Sequence, residues 1–168
     1  MTRLKSFLIW LRRLFHCRGF GIQSPSDYWF VRYVINEHWP YYQYSEVGKG
    51  DEWLTRKLGR LCFRLANWKQ PEVVTSQSYR EYLQAGCHSA RFGENGQLIV
   101  VSETDDVTRL MDTTDERTVL LMEHIQRRKR DWQRIIDDPR TTTIFDLYYC
   151  GIAMFDKRRA KKHYIINF

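Results

Sequence analysis

No apolar run in the sequence approaches the roughly 20 residues needed to cross a bilayer. The nearest candidate, residues 1–15, is interrupted by Arg3, Lys5, Arg12 and Arg13, and it carries no small-residue cleavage site of the signal-peptide kind. Those absences favour a cytoplasmic chain. No C-x-x-C pair occurs either, so Cys17, Cys62, Cys87 and Cys150 have no local claim on zinc. Without an export signal they read as buried or idle thiols rather than disulfides. His16, His38, His88 and His163 show no ligand-like spacing, so no metal is expected. Internal repeats and low-complexity segments are missing too. Acidic residues are scarce at one end: residues 1–70 hold 12 Lys and Arg against 5 Asp and Glu, whereas residues 71–168 hold 15 of each.

What is present argues for a folded protein. Hydrophobic residues make up 43% of the 168 and aromatics 15%, more than disordered chains carry. The length fits one domain, 1–168, divided into a basic helical cap over 1–70 and an α/β sheet region over 71–168. The localised positive charge suits nucleic acid, an anionic membrane surface or an acidic protein, beside the simpler role of a solvated face.

Leu4, Phe7, Leu8, Leu11, Leu14 and Phe15 recur at helical spacing with basic residues between them. The spacing predicts an amphipathic helix packed on its own domain, with a membrane surface as the alternative. A glycine- and proline-marked loop follows from Arg18, and Ser26 or Asp27 can cap a helix through Ile35. Tyr41, Tyr42 and Tyr44 fall in a loop. The next helix is expected over residues 51–68, with Trp53 and Trp68 on its apolar face. Continuous apolar runs at 97–102 and 118–122 read as strands buried on both faces. Strands are also expected at 72–75, 141–146, 152–155 and 164–168, with helices over 79–85, 105–111 and 126–137. Helices first and then alternation predict a mostly parallel sheet with an antiparallel C-terminal edge.

Several segments carry a family resemblance. Gly19-Phe-Gly-Ile-Gln-Ser-Pro25, Lys57-Leu-Gly-Arg-Leu-Cys-Phe-Arg-Leu65, Thr118-Val-Leu-Leu-Met-Glu-His-Ile125, Thr141-Thr-Thr-Ile-Phe-Asp-Leu-Tyr-Tyr-Cys-Gly-Ile-Ala-Met-Phe155 and Ala160-Lys-Lys-His-Tyr-Ile-Ile-Asn-Phe168 are the pieces concerned. They resemble the ends of a group of bacterial proteins related to class I S-adenosylmethionine-dependent methyltransferases. The resemblance covers roughly residues 15–75 and 117–168 and implies a truncated Rossmann-like methyltransferase sheet. None of the pieces is a catalytic motif, so they speak for fold and ancestry.

The middle departs from that pattern. A working enzyme of the family follows its first strand with an acidic residue and a glycine-rich turn, E-x-G-x-x-x-G, because bare backbone must pass close to the cofactor. Here the segment reads Pro71-Glu-Val-Val-Thr-Ser-Gln-Ser-Tyr-Arg-Glu-Tyr82, with no glycine before Gly86. Tyr79 and Arg80 fill space that the cofactor needs. The resemblance therefore implies a shortened pseudoenzyme with a binding or regulatory role, no catalytic residue and no expected cofactor. Its partner would be another protein or a second copy of the chain, with nucleic acid or an anionic membrane as the role of the basic region.

An active enzyme with an altered S-adenosylmethionine site is the alternative. Its cofactor residues would then include Thr75, Ser76, Glu103 and Glu123. Glu103 and Glu123 follow or end predicted buried strands, where open α/β sheets place ligands. His124 is next to Glu123, but neighbours on a strand point to opposite faces. The run from Arg127 to Arg130 suits phosphate or, more simply, a solvated face.

Overall fold

The computed structural model describes residues 3–17 and 19–168, with side chains from residue 7 onward. Leu4 and Arg18, which enter the N-terminal readings above, therefore lie outside the described side chains. The described residues form six α-helices and one open seven-stranded sheet. In chain order the main elements are α1 (Arg3–Arg12), α2 (Pro25–Phe30), a π-helical turn (Val31–Ile35), α3 (Trp53–Lys69), β1 (Val73–Ser76), α4 (Arg80–Gly86), β2 (Arg91–Phe92) and β3 (Leu98–Val101). Then follow α5 (Val107–Asp112), β4 (Val119–Glu123), α6 (Lys129–Asp137), β5 (Thr143–Asp146), β6 (Cys150–Met154) and β7 (Lys162–Ile165).

The strand order is β2-β1-β3-β4-β6-β5-β7. β6 alone runs against its neighbours β4 and β5, while β7 pairs parallel with β5. The antiparallel strand thus lies inside the sheet rather than at its edge. The cause is the short link between β5 and β6, which permits a hairpin only.

The apolar runs of β3 and β4 are buried on both faces because each face meets its own layer of helices. Leu98, Val100, Val119 and Leu121 join a cluster with Leu58, Leu61, Leu65 and Val34 from α3 and the π-helical turn. Ile99, Val101, Leu120 and Met122 join the other cluster, with Met111 of α5 and Trp132 and Ile135 of α6. The period of two along each strand divides the core. α2, the π-helical turn and α3 of the basic N-terminal region thus cover one face of the sheet together with α4, and α5 and α6 cover the other.

Local chemistry explains the helix ends. Ser24 rather than Ser26 or Asp27 caps α2, its Oγ accepting from the backbone N–H of Asp27, because Pro25 takes the first helical position. Asp27 is buried instead, paired with Arg159 and accepting from the Tyr164 hydroxyl at 3.0 Å. α1 docks through Arg13, which reaches the Asp146 carboxylate at 2.8 Å. Leu8 and Leu11 of α1 and Phe15 beyond it remain exposed, so the N-terminal stripe is not buried against the domain as its spacing suggests. Trp132 is core, whereas Trp53 is 54% exposed despite its apolar helix face. The thiols of Cys62, Cys87 and Cys150 are free and buried. No helix of the described residues is long and apolar enough to cross a membrane.

Candidate functional site

The chain leaves β1 to form β2 on one side and then crosses to place β3 on the other. That reversal is a topological switch point, and the crevice beyond the strands' carboxyl ends is where such sheets bind ligands. The crossing uses only residues 93–97. Gly96 lies so close to β1 that an added Cβ would stand 2.6 Å from the Thr75 nitrogen. Thr75 serves this crossing: its Oγ1 donates to the Gly93 carbonyl at 2.8 Å and accepts from the Gly96 N–H at 2.9 Å. Ser76 folds the next turn, donating to the Ser78 carbonyl at 2.6 Å.

That turn has no glycine, and its side chains reach across to β4. Ser78 Oγ donates to Glu123 Oε1 at 2.8 Å, and the Tyr79 hydroxyl donates to Oε2 at 3.2 Å. Glu123 is 7% exposed. Burial pushes its carboxyl above the ordinary range, while the two donated hydrogen bonds and His124 act the other way. The Tyr79 hydroxyl is pushed well up, first by burial and then by the Glu123 charge.

His124 has φ of +50°, which takes it out of strand alternation. Its Nε2 lies 3.9 Å from Glu123 Oε2 and 3.8 Å from Glu103 Oε1. Glu103 in turn accepts from Arg127 Nη1 at 2.6 Å. Glu103 and Glu123 are thus brought together around one imidazole, while Thr75 and Ser76 are committed to shaping the backbone. Arg128 is not a solvated side chain: it donates to the carbonyls of Ser102 and Asp105 and to the Asp131 carboxylate. Arg127 and Arg128 thus tie down the loop after β3, while Lys129 and Arg130 are exposed.

Two clefts flank the turn and share no lining residue. One, of about 430 Å³, lies over β1, β2 and β3 and is lined by Thr75, Ser76, Gln77, Arg80, Asp105 and Arg109 among others. Arg80 stacks there, 4.1 Å from the Phe92 ring centre. The other, of about 930 Å³, lies between the start of α3 and the ends of β4 and β5. Tyr79, His124 and Tyr148, with φ of +54°, +50° and +70°, all line it. Non-glycine residues in this region cost about 1–3 kcal/mol each and gather at functional sites.

No family model, curated protein or solved structure matches the chain.

Among the described residues, no group of three or more His, Cys, Asp or Glu side chains is placed to hold a metal ion. The chemistry within reach is binding and proton exchange: a buried carboxyl with raised affinity for its proton, two hydroxyl donors and an imidazole. Neither Ser78 nor Tyr148 stands out in the sequence. Ser78 is one of several serines with nothing to single it out. Tyr148 owes its backbone conformation to Asp146, whose Oδ1 accepts from the Tyr148 N–H at 2.8 Å. An Asp two residues before a turn is a readable signal.

Proposed function

We propose that the chain is a degenerate methyltransferase-like domain that has given up methyl transfer and serves in binding or regulation. One observation carries the proposal: the Tyr79 hydroxyl reaches across the carboxyl end of the sheet to Glu123, with Ser78 beside it. The space that a bare turn would leave for a methionine and ribose is taken by these side chains, and both candidate carboxylates already have protein partners. These residues do not fit S-adenosylmethionine in the family's manner. A mostly parallel sheet with one reversed strand near its C-terminal side accords with the Rossmann-like ancestry that the segments at both ends suggest. A regulatory role requires a protein partner or a second copy of the chain.

Titration calorimetry with S-adenosylmethionine tests this. The expected result is no heat of binding up to millimolar ligand. Saturable micromolar binding would overturn it and support the second reading, an active enzyme with an altered site. That reading is favoured by the 430 Å³ cleft at the switch point, which Thr75 and Ser76 line and whose size lies within the range of small-molecule sites. Replacing Glu103 or Glu123 with glutamine would then abolish turnover.

A further inference from the structure

A third cleft, of about 610 Å³, lies on the opposite side of α3's first turns, between that helix and the loop after the π-helical turn. Its composition is unusual. Arg56, Lys57, Arg60 and Arg64 of α3 all line it, with Glu37 as the one carboxylate side chain in the lining. Glu37 is occupied in accepting from the Tyr41 hydroxyl at 2.8 Å. None of the four cations forms an ion pair with a carboxylate among the described residues.

Arg64 is 7% exposed, and its guanidinium donates to the carbonyls of Val34 at 2.6 Å and Ile35 at 2.9 Å and to the Tyr44 hydroxyl at 3.5 Å. Those bonds satisfy its donors but bring no carboxylate to its charge, which an anion in the cleft would offset. Asn36 lines the same cleft at 8% exposure, and its Nδ2 finds no acceptor among the described residues. Asn36 directly follows the π-helical turn, whose Val34 and Ile35 carbonyls hold Arg64; such turns are rare and often found at functional sites.

Rings complete the wall. Trp39 is 71% exposed and Trp53 54% exposed at the cleft. Arg60 stacks over Tyr44, 4.7 Å from its ring centre, and Lys57 stands 4.5 Å from the centre of the Phe168 ring. Guanidinium forks match phosphate oxygens two at a time, and exposed indole faces stack on planar bases. The volume suits a small molecule rather than a length of polymer.

We propose that this cleft is a binding site for a mononucleotide, with the phosphate held by Arg56, Arg60 and the Asn36 amide and the base held against Trp39. The site shares only Trp53 with the cleft at the ends of β4 and β5 and does not depend on whether S-adenosylmethionine binds over the sheet. Guanosine 5′-monophosphate is the probe, followed by tryptophan fluorescence and by calorimetry on the whole chain at low salt. A saturable change in emission is expected, with guanosine and inorganic phosphate each binding at least tenfold more weakly. Arg60→Gln and Trp39→Ala should each weaken binding at least tenfold while leaving the melting temperature in place. Trp39 is exposed, so its removal tests the ligand contact without disturbing the core. No response at millimolar nucleotide overturns the proposal. So does an affinity unchanged in both variants, or phosphate alone or an oligonucleotide binding as tightly as the nucleotide.

Discussion

Glu123 and Lys57 are two residues whose buried surroundings alter their acid–base behaviour in a testable way. Burial raises the Glu123 carboxyl above its ordinary 4.5, so the folded protein holds that proton more tightly than the unfolded chain does. Its contribution to stability is complete below 4.5 and is lost as pH rises through the folded-state value. Denaturant unfolding between pH 4 and 7 should therefore show the wild type losing ground to Glu123→Gln as pH increases. Parallel stability curves would contradict the assignment. Burial pushes the Lys57 ammonium down from 10.5 to about 8, against the pull of the Trp53, Tyr149 and Phe168 ring faces. Between about 8 and 10.5 the unfolded chain then holds more protons, so stability rises with pH across that window. Lys57→Met should remove the rise, as measured by denaturant midpoints. Glu103 just after β3 and Glu123 at the end of β4 were legible in the sequence because each follows an unbroken apolar run. The contact between Glu123 and His124 was not, because alternation places neighbours apart and only the left-handed turn at His124 undoes it.

Among the elements, close approach rather than propensity fixes two joints. A Cβ on Gly59 of α3 would stand 2.4 Å from the Tyr82 ring of α4, and one on Gly151 of β6 would stand 2.3 Å from the Trp132 ring of α6. Gly59→Ala and Gly151→Ala should each cost about 1–3 kcal/mol through overpacking, read from urea unfolding. A second joint type ties the chain's two ends. Asp27→Ala leaves the Tyr164 hydroxyl and Arg159 without their buried partner and should cost about 1.5–3 kcal/mol. The buried strands β3 and β4 were readable because an unbroken apolar run needs two covering layers. β2, two residues long, gives no periodicity to read. The place of β6 between β4 and β5 was hidden as well, since strand order depends on tertiary packing that local pattern does not encode.

For the molecule as a whole, the sequence's charge asymmetry acquires a location. Four of the basic residues in the first 70, Arg56, Lys57, Arg60 and Arg64, converge on the cleft beside α3. That convergence follows from their spacing along one helix, although the loop that forms the opposite wall gave no sign of folding back. The sheet's carboxyl edge, by contrast, is divided by the Ser78 and Tyr79 contacts into two clefts. The most direct test of the pseudoenzyme reading is a crystal structure grown in millimolar S-adenosylhomocysteine. Tyr79 should remain hydrogen-bonded to Glu123, with no ligand density above β1. Adenosyl density over that strand, with Tyr79 displaced, would contradict it.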